Sequence, residues 1–118
     1  MYYLKEIALS DVYDAREERK APDTDNLTIK GPKTEKGSVV QLDMFYAYDD
    51  TTPTKTIRIG FEKNGTIYWV KQGPAATNEH GIAQNGKMIL VDGERPVAMI
   101  ESPTANDVCC LVARGEYL

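Results

Sequence analysis

Alternating apolar and polar positions along the chain predict β-strands, and the alternation is clearest between residues 38 and 71. Apolar residues occupy every second position in two runs, one through Val40, Leu42, Met44, Tyr46 and Tyr48 and one through Ile57, Ile59 and Phe61. A period of two gives a strand one buried face and one solvent face. Asn64-Gly65 follows the second run, and this dipeptide favours a type I′ hairpin turn because both of its residues adopt positive φ.

The whole chain contains eight segments that we predict as strands. They span about residues 2–9, 27–30, 38–48, 55–62, 66–71, 87–91, 96–101 and 108–113. Turn-forming residues such as Asp49-Asp50 and Asp92-Gly93 separate them, and no long amphipathic helix pattern is present. Short strands at this spacing predict an all-β fold, an antiparallel β-sandwich or jelly roll of about eight strands. Shared parity places the following residues in one core: Leu42, Met44, Tyr46, Ile57, Ile59, Ile67 and Trp69.

The segment between residues 10 and 26 is the least regular part of the sequence. Ser10 or Asp11 could cap one or two helical turns that Pro22 would end. An irregular charged arm is the preferred alternative, because so short and polar a helix is marginal on its own. We therefore expect one domain, with a strand and a charged arm or loop over residues 1–36 and a β-sandwich core over residues 37–118.

The composition narrows the classes of partner and the compartment. The chain has 118 residues and a net charge of −4, which argues against nucleic acid as the main partner. Cys109 and Cys110 are neighbours that point to opposite faces of a strand, so we expect no disulfide and a reducing site of synthesis. Neither a signal peptide nor an apolar run of about 20 residues is visible, so no membrane partner is expected.

The residues that usually carry catalysis or bind metals are sparse. His80 is the only histidine, and it lies in a loop without a nucleophile motif. Cys109-Cys110 lacks the C-x-x-C spacing of zinc sites. The run Asp23–Asn26 resembles the start of a calcium loop, but Thr28 stands where that loop requires glycine. We therefore expect no catalytic residue, no metal and no cofactor, and a protein that is not an enzyme.

Several segments in the second half of the chain are similar to those of a known class of protein. They are the hairpin Ile57–Trp69, the motif Gly86–Glu94 and the closing segment Pro103–Tyr117. Together they resemble small jelly-roll virion proteins of tailed bacteriophages, of the head decoration or cement type. The resemblance implies a structural role on the capsid, contacts with the major capsid protein or another virion protein, and a symmetric homo-oligomer, with a trimer expected. It also implies location in the virion after synthesis in the host cytoplasm.

The mixed charges of the N-terminal segment make it the expected docking surface. The predicted interface residues are Asp11, Asp14, Arg16, Glu17, Glu18, Arg19 and Lys20. Such charges cannot form a core, but they can determine the choice of partner at the rim of an interface. A solvated arm without a partner is the alternative for this segment. For the protein as a whole, the alternatives are a carbohydrate- or receptor-binding β-sandwich module and a small enzyme of unrecognised type.

Overall fold

Every regular element is a β-strand in the part of the chain that the computed structural model describes, which is residues 12–52, 54–74 and 81–118. The nine strands are β1 (Val12–Lys20), β2 (Leu27–Lys30), β3 (Val39–Asp49), β4 (Thr56–Lys63), β5 (Thr66–Pro74), β6 (Gly81–Ala83), β7 (Met88–Val91), β8 (Arg95–Ile100) and β9 (Val108–Tyr117). The predicted all-β class is confirmed. The predicted strand at residues 2–9 lies outside the described residues.

The strands pair into two antiparallel sheets. Sheet A has the order β1-β9-β3-β6, and β7 also pairs with β3. Sheet B has the order β2-β8-β4-β5. The two sheets enclose one core, so the predicted β-sandwich is confirmed, while the narrower jelly-roll topology stays a prediction. The buried apolar side chains come from strands of both sheets and include Val40, Leu42, Phe45, Ile57, Ile59, Leu90, Ile100 and Leu111.

A β-bulge in β3 inverts the predicted parity of this strand. The register with β9 shifts between Leu42 and Met44, which leaves Asp43 as the extra residue. Leu42 is buried as predicted, but beyond the bulge Phe45 faces the core instead of Tyr46. The core prediction was therefore wrong for Met44 and Tyr46, because one inserted residue sends every later side chain to the other face.

The edge position of β5 explains the other two errors in the predicted core. Ile57 and Ile59 of β4 are fully buried, as predicted. Ile67 is only half-buried and Trp69 is exposed, because β5 pairs with β4 alone in the described residues. A strand at the edge of a sheet has a neighbour on one side only, so its apolar side chains remain partly in solvent.

The segment predicted as a charged arm is a strand from residue 12 to residue 20. It pairs with β9 over its whole length, from Val12 opposite Glu116 to Lys20 opposite Val108. Tyr13 is buried, and its hydroxyl donates a hydrogen bond of 2.5 Å to the carbonyl of Pro32. The irregular arm was therefore the wrong interpretation here, since the hydrogen-bonding edge of β9 orders a sequence that has little strand propensity of its own.

The turns follow their predicted chemistry. Asn64 and Gly65 have φ of 51° and 83°, so the β4–β5 hairpin has the predicted type I′ turn. Asp92 and Gly93 also have positive φ, of 40° and 83°, at the predicted turn between β7 and β8. The loop predicted over residues 72–86 contains the short strand β6, and its residues 75–80, with His80, lie outside the described residues.

Candidate functional site

The outer face of sheet A brings together apolar and aromatic side chains from its two central strands. On β9, Cys109 and Leu111 pack in the core, so the alternate residues Cys110 and Val112 face outward. Across the ladder, Tyr48 lies opposite Cys110, and Tyr46 lies opposite Val112. We call the set Met44, Tyr46, Tyr48, Cys110 and Val112 the tyrosine face.

The two tyrosines of this face stack on each other. Their ring centroids are 5.8 Å apart and the ring planes make an angle of 23°. A hydrogen bond with Cys110, together with burial, raises the pKa of Tyr48 to about 12. Burial also raises the pKa of the Cys110 thiol. Both groups are therefore neutral near pH 7, and a thiol that stays protonated is a poor nucleophile, so this arrangement favours binding over covalent chemistry.

Charged side chains of β1 and β9 form one border of the tyrosine face. Asp14 forms ion pairs with Arg114, at 3.3 Å, and with Arg16, at 3.7 Å. Glu18 lies beside the floor of the face, with its Oε2 atom 3.8 Å from Cys110 Sγ. A shallow cavity of about 330 Å³ lies between this border and the tyrosines. An aromatic centre with a charged rim is the usual composition of a protein-binding surface.

The structure separates the predicted interface residues into two groups. Asp14, Arg16, Glu18 and Lys20 lie at alternate positions of β1 that share the outward parity, beside the tyrosine face. Glu17 and Arg19 have the opposite parity and form an ion pair of 3.2 Å with each other. Asp11 lies outside the described residues. The predicted interface residues of the first group thus lie beside the tyrosine face, and their role at an interface stays a prediction. The face itself was missed, because Met44 and Tyr46 were placed in the core.

A second titratable cluster lies at the end of β3. Asp49 and Asp107 are 0% and 1% exposed, respectively. Asp49 Oδ1 accepts hydrogen bonds from the amides of Thr51 and Thr52 at 3.0 and 2.9 Å, which is the turn chemistry predicted for Asp49-Asp50. Asp107 accepts hydrogen bonds from the Thr52 hydroxyl at 3.0 Å and from the Thr104 amide at 3.1 Å. Through these hydrogen bonds the two carboxyls join the end of β3 to the loop before β9.

A third feature is an aromatic strip on β5. Tyr68, Trp69 and Val70 are three consecutive exposed apolar residues. Tyr68 stacks on Phe61 of β4, with ring centroids 5.2 Å apart and an interplanar angle of 22°. Because consecutive strand residues point to opposite faces, Tyr68 and Trp69 are exposed on opposite sides of β5. This strip lies on sheet B and is separate from the tyrosine face.

Within residues 12–52, 54–74 and 81–118, His, Cys, Asp and Glu side chains form no group of three or more that could hold a metal ion. The same ranges contain no apolar helix of membrane-spanning length. A scan against protein-family models and a search of curated proteins find no match to the sequence.

Proposed function

We propose that the protein is a non-enzymatic structural component of a bacteriophage particle, which decorates or stabilises the capsid through protein–protein contacts. The tyrosine face is the docking surface in this proposal, and the major capsid protein or another virion protein is its partner. The phage assignment rests on the sequence resemblance. The trimer that the resemblance implies, and location in the virion, stay predictions.

The observation that carries the proposal is the stacked Tyr46–Tyr48 pair beside the charged rim of β1. Tyrosine and arginine are the residue types enriched at the energetic centre of protein interfaces. Arg16 and Glu18 lie across β9 from these tyrosines, so one surface offers an aromatic anchor and two charges of opposite sign. The surface is a shallow cavity on a sheet, which suits a protein partner better than a small substrate that needs an enclosing pocket.

Binding to capsid shells tests this proposal. Purified protein would be mixed with empty shells assembled from the major capsid protein of a candidate phage, and the bound fraction measured by co-sedimentation. We expect saturable binding that Tyr46→Asp or Arg16→Glu reduces by at least tenfold, since both substitutions alter the docking surface.

The matched control is Thr28→Asp, which adds a negative charge to an exposed position on the outer face of sheet B. Circular dichroism and thermal unfolding would verify that each variant keeps the fold. Equal loss of binding in the control, or saturable binding that neither Tyr46→Asp nor Arg16→Glu changes, would reject this surface. A protein that binds no shell or tail component would argue against the structural-virion function itself.

The aromatic strip on β5 supports a second candidate, a carbohydrate- or receptor-binding module. Tyr68 and Trp69 are exposed, and aromatic rings of this kind can stack on the apolar faces of sugars. A glycan array probed with the labelled protein would detect such binding. Loss of a glycan signal in Trp69→Ala, with the signal kept in Tyr46→Asp, would favour this function over capsid decoration.

A further inference from the structure

The long edge of sheet B lacks the features that normally protect an edge strand. In the described residues β5 pairs only with β4, so alternate backbone N–H and C=O groups of Thr66–Val70 point away from the sheet. This segment contains no charged residue and no proline. Proteins usually protect such edges with charges, prolines or very short strands, because an open edge is a template for another strand.

The other edges of the two sheets carry that protection. β1, which pairs only with β9 among the described strands, has five consecutive charged residues from Arg16 to Lys20. β2, β6 and β7 are edges of only four, three and four residues. On β5 itself, Lys71 and Pro74 protect the second half, and a bulge at Val70 marks the boundary. Among the described strands, the unprotected edge is thus confined to Thr66–Val70.

We propose that two copies of this chain pair through the edge of β5, antiparallel and related by a two-fold axis at Tyr68. The backbone groups of an antiparallel edge are complementary to those of an identical strand, so each copy supplies what the other needs. Centred on Tyr68, the pairing brings Ile67 of each copy opposite Trp69 of the other and joins the two tyrosines across the axis.

Charge is compatible with this register. Lys71 is the one charged residue of β5, and it would lie just beyond Thr66, where β5 of the second copy begins, so the two lysines do not meet. The pairing would also cover part of the exposed surface of Tyr68, Trp69 and Val70, which are 49%, 36% and 42% exposed in the single chain. A two-fold dimer of this kind differs from the trimer that the resemblance implies, and it does not depend on the proposed function.

The sharpest test uses the axis residue. Light scattering of the full chain should give twice the mass of one chain, with dissociation on dilution. Tyr68→Lys and Tyr68→Glu should each be monomeric, because like charges would then meet directly at the axis. An equimolar mixture of the two variants should recover the dimer, since lysine and glutamate would pair. Ile89→Lys, at an apolar residue of similar exposure on β7, should stay dimeric.

Hydrogen exchange of the unmodified protein gives an independent readout. The backbone amides of Thr66–Val70 that point away from β4 should exchange more slowly at high protein concentration than at low concentration, and those of β1 should not change. A wild-type chain that is monomeric at about millimolar concentration, or one that forms a trimer, would overturn the proposal. So would a dimer that persists in both Tyr68 variants.

Discussion

Asp49 and Asp107 form a buried carboxyl pair that joins the end of β3 to the loop before β9. Asp49 Oδ2 has no hydrogen-bond donor among the described residues, so a proton on Asp49 is what allows a hydrogen bond to Asp107. Burial and this hydrogen bond raise the pKa of Asp49. Burial alone would also raise the pKa of Asp107, but hydrogen bonds with Asp49, Thr52 and Thr104 outweigh it and lower that pKa. The pair therefore holds one proton over the intervening pH range.

The first prediction concerns the pH dependence of stability. An aspartate whose folded-state pKa is raised above its unfolded value, about 3.9, contributes to the stability of the fold below pH 3.9. This contribution is lost as pH rises through the folded-state pKa. We expect Asp49→Asn to remove this alkaline loss, because the amide donates the same hydrogen bond without titrating. Urea unfolding of both proteins between about pH 4 and pH 9 would measure how the free energy of unfolding depends on pH. The nearby Cys109 has a pKa of about 12 and stays neutral in this range.

The matched variant is Asp107→Asn, which replaces one of two acceptor oxygens by an NH2 donor, although Thr52 and Thr104 both donate to this carboxylate. We expect it to lower the free energy of unfolding by about 1–3 kcal/mol near neutral pH, the usual result of leaving buried polar groups unpaired. The contribution of Asp107 to stability depends on pH in the opposite direction. It is present above about pH 3.9 and is lost as pH falls through the lowered folded-state pKa of Asp107. Parallel pH curves for wild type and Asp49→Asn would contradict the shared proton.

The second prediction concerns the core. Ile59 of β4 is completely buried among side chains of both sheets. Ile59→Ala should lower the free energy of unfolding by about 2–5 kcal/mol, because it removes buried methyl groups and leaves a cavity. Ile89→Ala is the control at an exposed position of β7 and should change stability by less than about 1 kcal/mol. Equal effects in the two variants, measured by chemical denaturation, would be inconsistent with this packing.

The third prediction concerns the bulge in β3. Deleting Asp43 removes the extra residue but keeps Leu42 and Phe45 facing the core, so we expect the protein to fold with reduced stability. Deleting Tyr46 instead would turn Ala47 and Asp49 toward solvent, and we expect that chain not to fold cooperatively. Near-ultraviolet circular dichroism and thermal melting would compare the two. Similar melting curves for both deletions would show that the bulge does not determine the register.

The fourth prediction concerns the ion pair between Lys30 and Glu62. Lys30 Nζ donates to Glu62 Oε2 at 2.5 Å, and this hydrogen bond lowers the pKa of the largely buried carboxyl. Lys30→Met should lower the free energy of unfolding by about 0.5–1.5 kcal/mol at pH 7, a value reduced because Lys30 itself is partly exposed.

The pH dependence of this loss has a defined sign. A carboxyl group whose pKa is lowered in the folded state stabilises the protein at pH values above its unfolded pKa, about 4.3. This contribution disappears as pH falls through the folded-state pKa. The difference between wild type and Lys30→Met should therefore shrink in acid. Lys63→Met is the control, because Lys63 is exposed and forms no ion pair within the described residues. A Lys63→Met variant as unstable as Lys30→Met would refute a specific pair.

Local chemistry made much of the fold predictable. The positive φ of Asn64 and Gly65 was predicted from the dipeptide itself, since few other residues accept that conformation, and Asp92-Gly93 lies at a turn that was also predicted. The strand positions from β3 to β9 were predicted to within a few residues, apart from the short β6. The opposite faces predicted for Cys109 and Cys110 are also observed, with Cys109 in the core and Cys110 on the tyrosine face.

By itself, then, the sequence determined the all-β class, the hairpin turns and the burial of Leu42, Ile57 and Ile59, because alternation and turn chemistry act within a few residues of chain. Only the tertiary structure decided that Asp43 is bulged, that β1 is a strand and that Tyr46 and Tyr48 form an outer face. The reason is that register and edge position depend on the partner strand, and for β1 and β3 that partner is β9, which lies far away along the chain.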